Sequence, residues 1–130
     1  VKYFESLCIK NKIFNLTPND EELQVLYENA VALVYPSIDE GFGLPILEAF
    51  VNGCPVLCSD IKVFHEIAND SVVYFDPKSI ISINDAFNRI YNSKNEKQNL
   101  IEKGYERSKT FDWSKCASLT EEVYKKVISQ

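Results

Sequence analysis

Short apolar runs alternate along this chain with stretches in which apolar positions recur at helical spacing. Residues 12–16, Lys-Ile-Phe-Asn-Leu, predict a short strand that ends at the turn Thr17-Pro18-Asn19-Asp20. Asn19 or Asp20 can cap the helix that follows, where Leu23, Leu26, Tyr27 and Ala30 share one face. Residues 32–35, Ala-Leu-Val-Tyr, form a continuous apolar run of the kind covered on both faces of a sheet, and Pro36 ends it. A polar loop over residues 37–43 leads into a predicted helix over residues 44–52. Pro45 suits its first turn, and Gly53 supplies the stop. Residues 55–58 predict the next buried strand, residues 63–68 a short helix and residues 72–75 a further strand closed by Asp76-Pro77.

The remainder reads as helical. One apolar stripe is Ile83, Ala86, Phe87, Ile90 and Tyr91, and a second is Leu100, Ile101 and Tyr105. A third, near the C-terminus, is Trp113, Cys116, Thr120, Val123 and Val127. Strands that alternate with helices indicate an α/β, Rossmann-like parallel sheet with helices on both faces. Such sheets take ligands at the carboxyl ends of their strands, and the loop after Tyr35 is one of those ends.

Composition narrows the function without naming it. The 130 residues are 45% hydrophobic and 25% charged, the make-up of a globular domain with one core. No run approaches the ~20 apolar residues that span a bilayer, and the first residues carry no apolar run of signal-peptide type. The net charge of −5, with no cluster of Lys and Arg, argues against nucleic acid as a partner. One small anionic ligand remains compatible, because backbone amides at a helix N-terminus hold a phosphate without net positive charge. Cys8, Cys54, Cys58 and Cys116 match no zinc or redox spacing. They are expected to be structural thiols in a reducing, cytoplasmic compartment. The lone histidine, His65, lies beside Glu66 and lacks convergent partners, so a surface or capping role is expected and no metal site. Lys62 is within reach of a phosphate, although an exposed lysine needs no such role. Tyr27 and the helical aromatics are most simply core.

The informative segment runs over residues 36–50, Pro-Ser-Ile-Asp-Glu-Gly-Phe-Gly-Leu-Pro-Ile-Leu-Glu-Ala-Phe. It reads as strand, glycine-bearing turn, then helix N-terminus. Gly41 and Gly43 allow positive φ and close backbone approach, and the first helical amides, backed by the helix dipole, make a competent diphosphate site. Glu40 and Glu48 flank the turn. Ionised carboxylates accept from neighbouring hydroxyls, which suits the diols of a sugar or a ribose. Taken singly, Glu48 is more simply read as complementing the helix dipole and Glu40 as solvated.

Taken together, Glu40-Gly41-Phe42-Gly43-Leu44-Pro45 with Glu48 resembles the signature of the retaining glycosyltransferases of family GT4, the glycosyl transferases group 1. Their GT-B architecture has two Rossmann-like domains facing across a cleft. The surroundings fit: Asp20-Glu21-Glu22-Leu23, Leu26-Tyr27 and Ala30, Tyr35-Pro36-Ser37, Gly53-Cys54-Pro55-Val56, Glu66, Asp76-Pro77 and Phe111-Asp112-Trp113. The resemblance covers nearly the whole chain and is strongest over residues 30–60.

That resemblance implies the donor-binding, C-terminal domain of an enzyme moving a hexose from a nucleoside-diphosphate sugar to an acceptor hydroxyl, as in bacterial-type polysaccharide or glycoconjugate synthesis. Glu40 would contact donor-sugar hydroxyls and act as the catalytic carboxylate, and Glu48 would contact the ribose. The amides of Phe42, Gly43 and Leu44, beside Gly41, would lie along the sugar and diphosphate, with no metal or other cofactor. The turn over residues 15–18 would lie near the base, where Leu16 stands in place of a glycine frequent in the family. The family's Arg and Lys pair, which neutralises the departing diphosphate, has no counterpart in residues 1–130. Nor has the acceptor-binding domain, which would receive a glycan or lipid-linked acceptor and carry any peripheral membrane attachment. The chain is thus expected to be an incomplete C-terminal domain, inactive alone. A second reading is a degenerate, non-catalytic module of the same fold that binds nucleotide or a partner protein.

Overall fold

A computed structural model describes residues 13–129. In chain order the elements are α1 (Asp20–Asn29), β1 (Leu33–Tyr35), α2 (Leu44–Val51), β2 (Val56–Ser59), α3 (Lys62–Ala68), β3 (Val73–Phe75), α4 (Ile80–Asn92), α5 (Lys94–Ser108) and α6 (Trp113–Ile128). The three strands form a parallel sheet in the order β1-β2-β3. Leu33 pairs with Val56, Tyr35 with Cys58, and Leu57 with Val73.

The alternation of side chains along β2 separates two apolar layers. Val56 and Cys58 face Ile46, Ala49 and Phe50 of α2, together with Phe64 and Ile67 of α3 and Tyr27 of α1. Leu57 faces the opposite way, joining Val73 and Phe75 to Ala86 and Ile90 of α4 and Leu100 of α5. Every residue of β2 is buried, as expected for a central strand covered on both faces. The fold class is therefore the expected one.

Local chemistry fixes the helix ends. Asn19, rather than Asp20, caps α1: its side chain accepts from the Glu22 amide at 2.9 Å while Glu22 accepts from the Asn19 amide at 3.0 Å. This reciprocal pair satisfies two otherwise orphaned donors. Gly53 follows α2 at φ +66°, the left-handed conformation expected of a helix stop. Gly104 of α5 lies against Phe50 of α2, and a Cβ there would stand 2.5 Å from the ring. Only glycine lets these two helices approach so closely.

Three expectations are corrected. Residues 13–19 contain no strand, and Lys12 lies outside the described residues, as does Cys8. β-rich composition over five residues does not suffice where no neighbouring strand pairs with it. The third apolar stripe belongs to α6, which buries no side chain; Trp113 is 78% exposed. Its amphipathic spacing is genuine, but within the described residues no core covers it. Phe87, Tyr91 and Tyr105 are likewise exposed on α4 and α5, where Ala86, Ile90 and Leu100 supply the buried positions. Among the described residues, no helix is long and apolar enough to cross a membrane.

Candidate functional site

β1 delivers Tyr35 to the carboxyl edge of the sheet, and residues 36–43 turn the chain back into α2. Gly43 is the N-cap of α2 at φ +109° and ψ +46° and is itself buried. A Cβ on Gly43 would stand 2.9 Å from the Phe64 ring, so both conformation and space call for glycine here. Gly41 differs from expectation. Its φ is not positive, and no atom lies within 4 Å of where its Cβ would be. The open space above Gly41 gives it freedom of approach rather than a special conformation.

Among the described residues, the N–H groups of Gly41, Phe42, Gly43 and Leu44 donate to no backbone carbonyl. Pro45 has no N–H, and the Ile46 amide donates to the Gly43 carbonyl at 3.0 Å. The free donors are thus gathered at the entrance to α2, where the helix dipole adds partial positive charge. Phe42 is 41% exposed, and its ring meets Phe111 edge-on at 5.9 Å. Arg107 lies over the Phe111 ring at 5.0 Å and donates to the carbonyls of Glu66 and Ile67. The turn is thereby braced against the end of α3.

Both flanking carboxylates are held by tyrosines. The Tyr35 hydroxyl donates to Oε1 of Glu40 at 2.6 Å, and the Ser37 hydroxyl donates to the same oxygen at 2.5 Å. On α2, Oε2 of Glu48 accepts from the Tyr27 hydroxyl at 3.0 Å. The Ser37 and Tyr35 hydroxyls hold the Glu40 carboxyl below its ordinary range. Burial, reinforced by Glu48, raises the Tyr27 hydroxyl, and burial with Glu40 raises that of Tyr35. For Tyr35 and Glu40 the signs agree: a protonated tyrosine donating to an ionised carboxylate favours both of those forms. Glu40 and the Phe42–Leu44 amides thus lie in the turn that opens α2, while Glu48 lies on the second turn of that helix and is tied to α1 through Tyr27.

Other expected residues fall elsewhere. His65 is exposed, donates from Nε2 to the Asp60 carboxylate at 2.6 Å and stacks on Tyr74 at 4.1 Å. Among the described residues, no three His, Cys, Asp or Glu side chains converge as metal ligands. Cys54 and Cys58 are buried free thiols, with Cys58 pushed up to about 12 by burial. Cys116 is exposed, contrary to the expectation of a structural thiol. Leu16 stands 58% exposed in the irregular segment before α1.

The sequence model described as "Glycosyl transferases group 1" matches residues 2–107. The chain belongs to the glycosyl transferases group 1. This group 1 chain is 36% identical over 106 residues to O-antigen chain mannosyltransferase B of Escherichia coli, covering 82% of this chain and 28% of that protein. It is 46% identical over 81 residues to O-antigen chain mannosyltransferase RfbU of Salmonella typhimurium, covering 55% and 23%. The chain thus spans about a quarter of the length of these relatives. Among solved structures, a sucrose-phosphate synthase from Thermosynechococcus elongatus superposes with a TM-score of 0.86 at 22% identity, covering 98% of this chain and 33% of that one. The C-terminal domain of a glycosyl transferase group 1 family protein (LpcC) from Francisella tularensis gives 0.71 at 24% identity, covering 84% and 58%. The fold is that of the C-terminal domain of a GT-B glycosyltransferase, of which this chain is part.

The sequence pattern gives no site role to Tyr35, Ser37, Phe64 or Phe111. Tyr35 and Ser37 stand five and three residues before Glu40, a spacing that puts hydroxyl donors beside a carboxylate wherever the loop folds back. The same pattern marks Tyr27 as core. Its ring is buried, but a buried tyrosine hydroxyl needs a partner, and that partner is Glu48.

Proposed function

We propose that this chain is the donor-binding part of a retaining glycosyltransferase, which moves a hexose from a nucleoside-diphosphate sugar to an acceptor hydroxyl in polysaccharide synthesis. The observation that carries the reading is the arrangement at the start of α2. Amides of Phe42, Gly43 and Leu44 that donate to no backbone carbonyl stand along the chain between two carboxylates, each of which accepts from a tyrosine hydroxyl. The amides and the dipole of α2 meet the diphosphate, Glu48 accepts from the ribose, and Glu40 accepts from the donor sugar. The turn at residues 15–18 lies beside the base.

In the transfer, the bond from the anomeric carbon to the diphosphate oxygen breaks and a bond to the acceptor oxygen forms. The nucleoside diphosphate leaves with the electron pair, and its oxygen takes up the proton that the acceptor hydroxyl gives up. The site contributes by orienting the sugar and by stabilising the charge that grows on the diphosphate, without a metal. The names of the O-antigen mannosyltransferases favour mannose as the hexose, and a glycan or lipid-linked acceptor would be bound by the rest of the protein on the cytoplasmic side.

The test is an assay of the full-length protein with nucleoside-diphosphate hexoses, mannose first, and a glycan acceptor. The anomeric configuration of the product is read by NMR. Transfer with retention is expected. A protein that binds nucleotide sugars yet transfers none, or that inverts the anomeric centre, contradicts the reading.

A further inference from the structure

Building on the assignment of Glu40 to the donor sugar, we propose that Tyr35 and Ser37 are positioning residues which saturate one oxygen of Glu40 and present the other to the sugar. Both hydroxyls converge on Oε1, at 2.6 and 2.5 Å, and among the described residues no side-chain donor reaches Oε2. A carboxylate oxygen that accepts two short bonds has both lone-pair directions used. Glu40 therefore reaches the sugar through Oε2 alone. It does not grip a vicinal diol with both oxygens, one hydroxyl on each. Selection at this point falls on the hydroxyl that meets a single, fixed acceptor.

The holder is itself anchored. The Tyr35 ring stacks on Phe64 at 5.2 Å, Phe64 is fully buried, and Tyr35 pairs with Cys58 in the sheet. Ser37 is two residues beyond the strand. A glutamate on a glycine-bearing loop would otherwise sample several rotamers, and ordering it during each turnover would lower the rate. The same two hydroxyls favour the ionised carboxylate. The groups that act on this pair are Tyr35 of β1 and Ser37 of the loop, with Glu48 of α2 acting on Tyr35. Among the described residues, no basic side chain contributes to the lowering of the Glu40 carboxyl.

The experiment uses the full-length enzyme with Tyr35→Phe, Ser37→Ala, both together, Ser37→Thr and Glu40→Gln. Phenylalanine keeps the stack on Phe64, so melting temperature checks that the fold is unchanged. Each variant is measured for kcat against pH, for KM of the nucleotide sugar and for affinity for the sugar-free nucleoside diphosphate. The double variant is expected to lose kcat by roughly tenfold or more, as misplaced groups do, with nucleoside diphosphate affinity retained. Its Glu40 carboxyl returns towards the ordinary range, so the acid limb of kcat moves to higher pH. Ser37→Thr, which keeps a hydroxyl, restores the parental profile relative to Ser37→Ala. A double variant with parental kcat and acid limb overturns the proposal while leaving Glu40 in the sugar site, provided Glu40→Gln is impaired. Parental transfer by Glu40→Gln removes the sugar-site assignment itself, and the proposal with it. Equal losses of kcat, nucleotide affinity and melting temperature in the double variant reduce the hydroxyls to a structural role and also overturn it.

Discussion

Replacing Gly43 by alanine tests the turn on which the whole site depends. Gly43 holds φ at +109°, outside the range that side-chain-bearing residues adopt easily. Left-handed backbone costs an L-residue about 1–2 kcal/mol. The new methyl group would stand 2.9 Å from Phe64 Cε1, 3.3 Å from Cδ1 of the same ring and 3.5 Å from Ile46 Cδ1. Phe64 and Ile46 are both fully buried, so neither yields freely, and overpacking adds about 1–3 kcal/mol. The expected destabilisation is therefore about 2–5 kcal/mol. Gly41→Ala is the control: its Cβ meets nothing within 4 Å and its φ is not positive, so a change within about 1 kcal/mol is expected. Denaturant unfolding of the full-length protein, followed by hydrogen exchange in α2 and α3, reads both. Because Phe64 stacks on Tyr35, and Tyr35 holds Glu40, Gly43→Ala also disturbs the Glu40 carboxylate at temperatures where the protein stays folded. Equal stability of Gly43→Ala and parent, or equal loss in the two alanine variants, would refute this account of the turn.

Glu48→Gln keeps the shape of the side chain but removes a charge-assisted acceptor, and calorimetry should show nucleotide affinity falling by about 1–3 kcal/mol; unchanged affinity would return Glu48 to complementing the helix dipole. Tyr27→Phe, which loses only the hydroxyl that holds Glu48, should weaken the same binding by a smaller amount, about 0.5–1.5 kcal/mol, with no loss if Glu48 does not touch the nucleotide. Alkylation mapped by mass spectrometry should modify exposed Cys116 in the native protein and reach Cys54 and Cys58 only on unfolding. Burial pushes the Cys58 thiol up to about 12 and leaves almost no thiolate at neutral pH; rapid native labelling of Cys58 would contradict its place in the core.

The order of elements from α1 to α5 was legible because each carries a local signal that agrees with its surroundings. The apolar runs at Leu33, Leu57 and Val73, the stop at Gly53 and the cap at Asn19 all point the same way. Two kinds of feature escaped. Apolar spacing in α6 is a property of the helix, whereas burial depends on what lies opposite it, and residues 13–19 show the same limit for strand composition. The glycines of the turn look alike in sequence, yet only Gly43 adopts positive φ, because only Gly43 lies under Phe64, some twenty residues further along the chain. The glutamates were singled out by the resemblance of the Glu-Gly-Phe-Gly-Leu-Pro loop to the family motif. Their hydroxyl partners were not, since Tyr27 reaches Glu48 across twenty-one residues of sequence. Apolar patterning marks such a residue as core and is silent about where its polar end points.

The division of labour between Glu40 and Glu48 is tested most directly by Glu40→Ala in the full-length protein. Two quantities are needed: affinity for the sugar-free nucleoside diphosphate, and turnover with saturating nucleotide sugar. Glu40 precedes the glycine turn, and Glu48 lies on α2 beyond it, so a diphosphate seated on the amides between them places one carboxylate at each sugar. Loss of Glu40 should then leave the nucleotide anchored and misplace the hexose, so that turnover collapses while nucleotide affinity stays close to that of the parent. Unchanged turnover, or nucleotide affinity that falls as far as turnover does, would take Glu40 out of the sugar site.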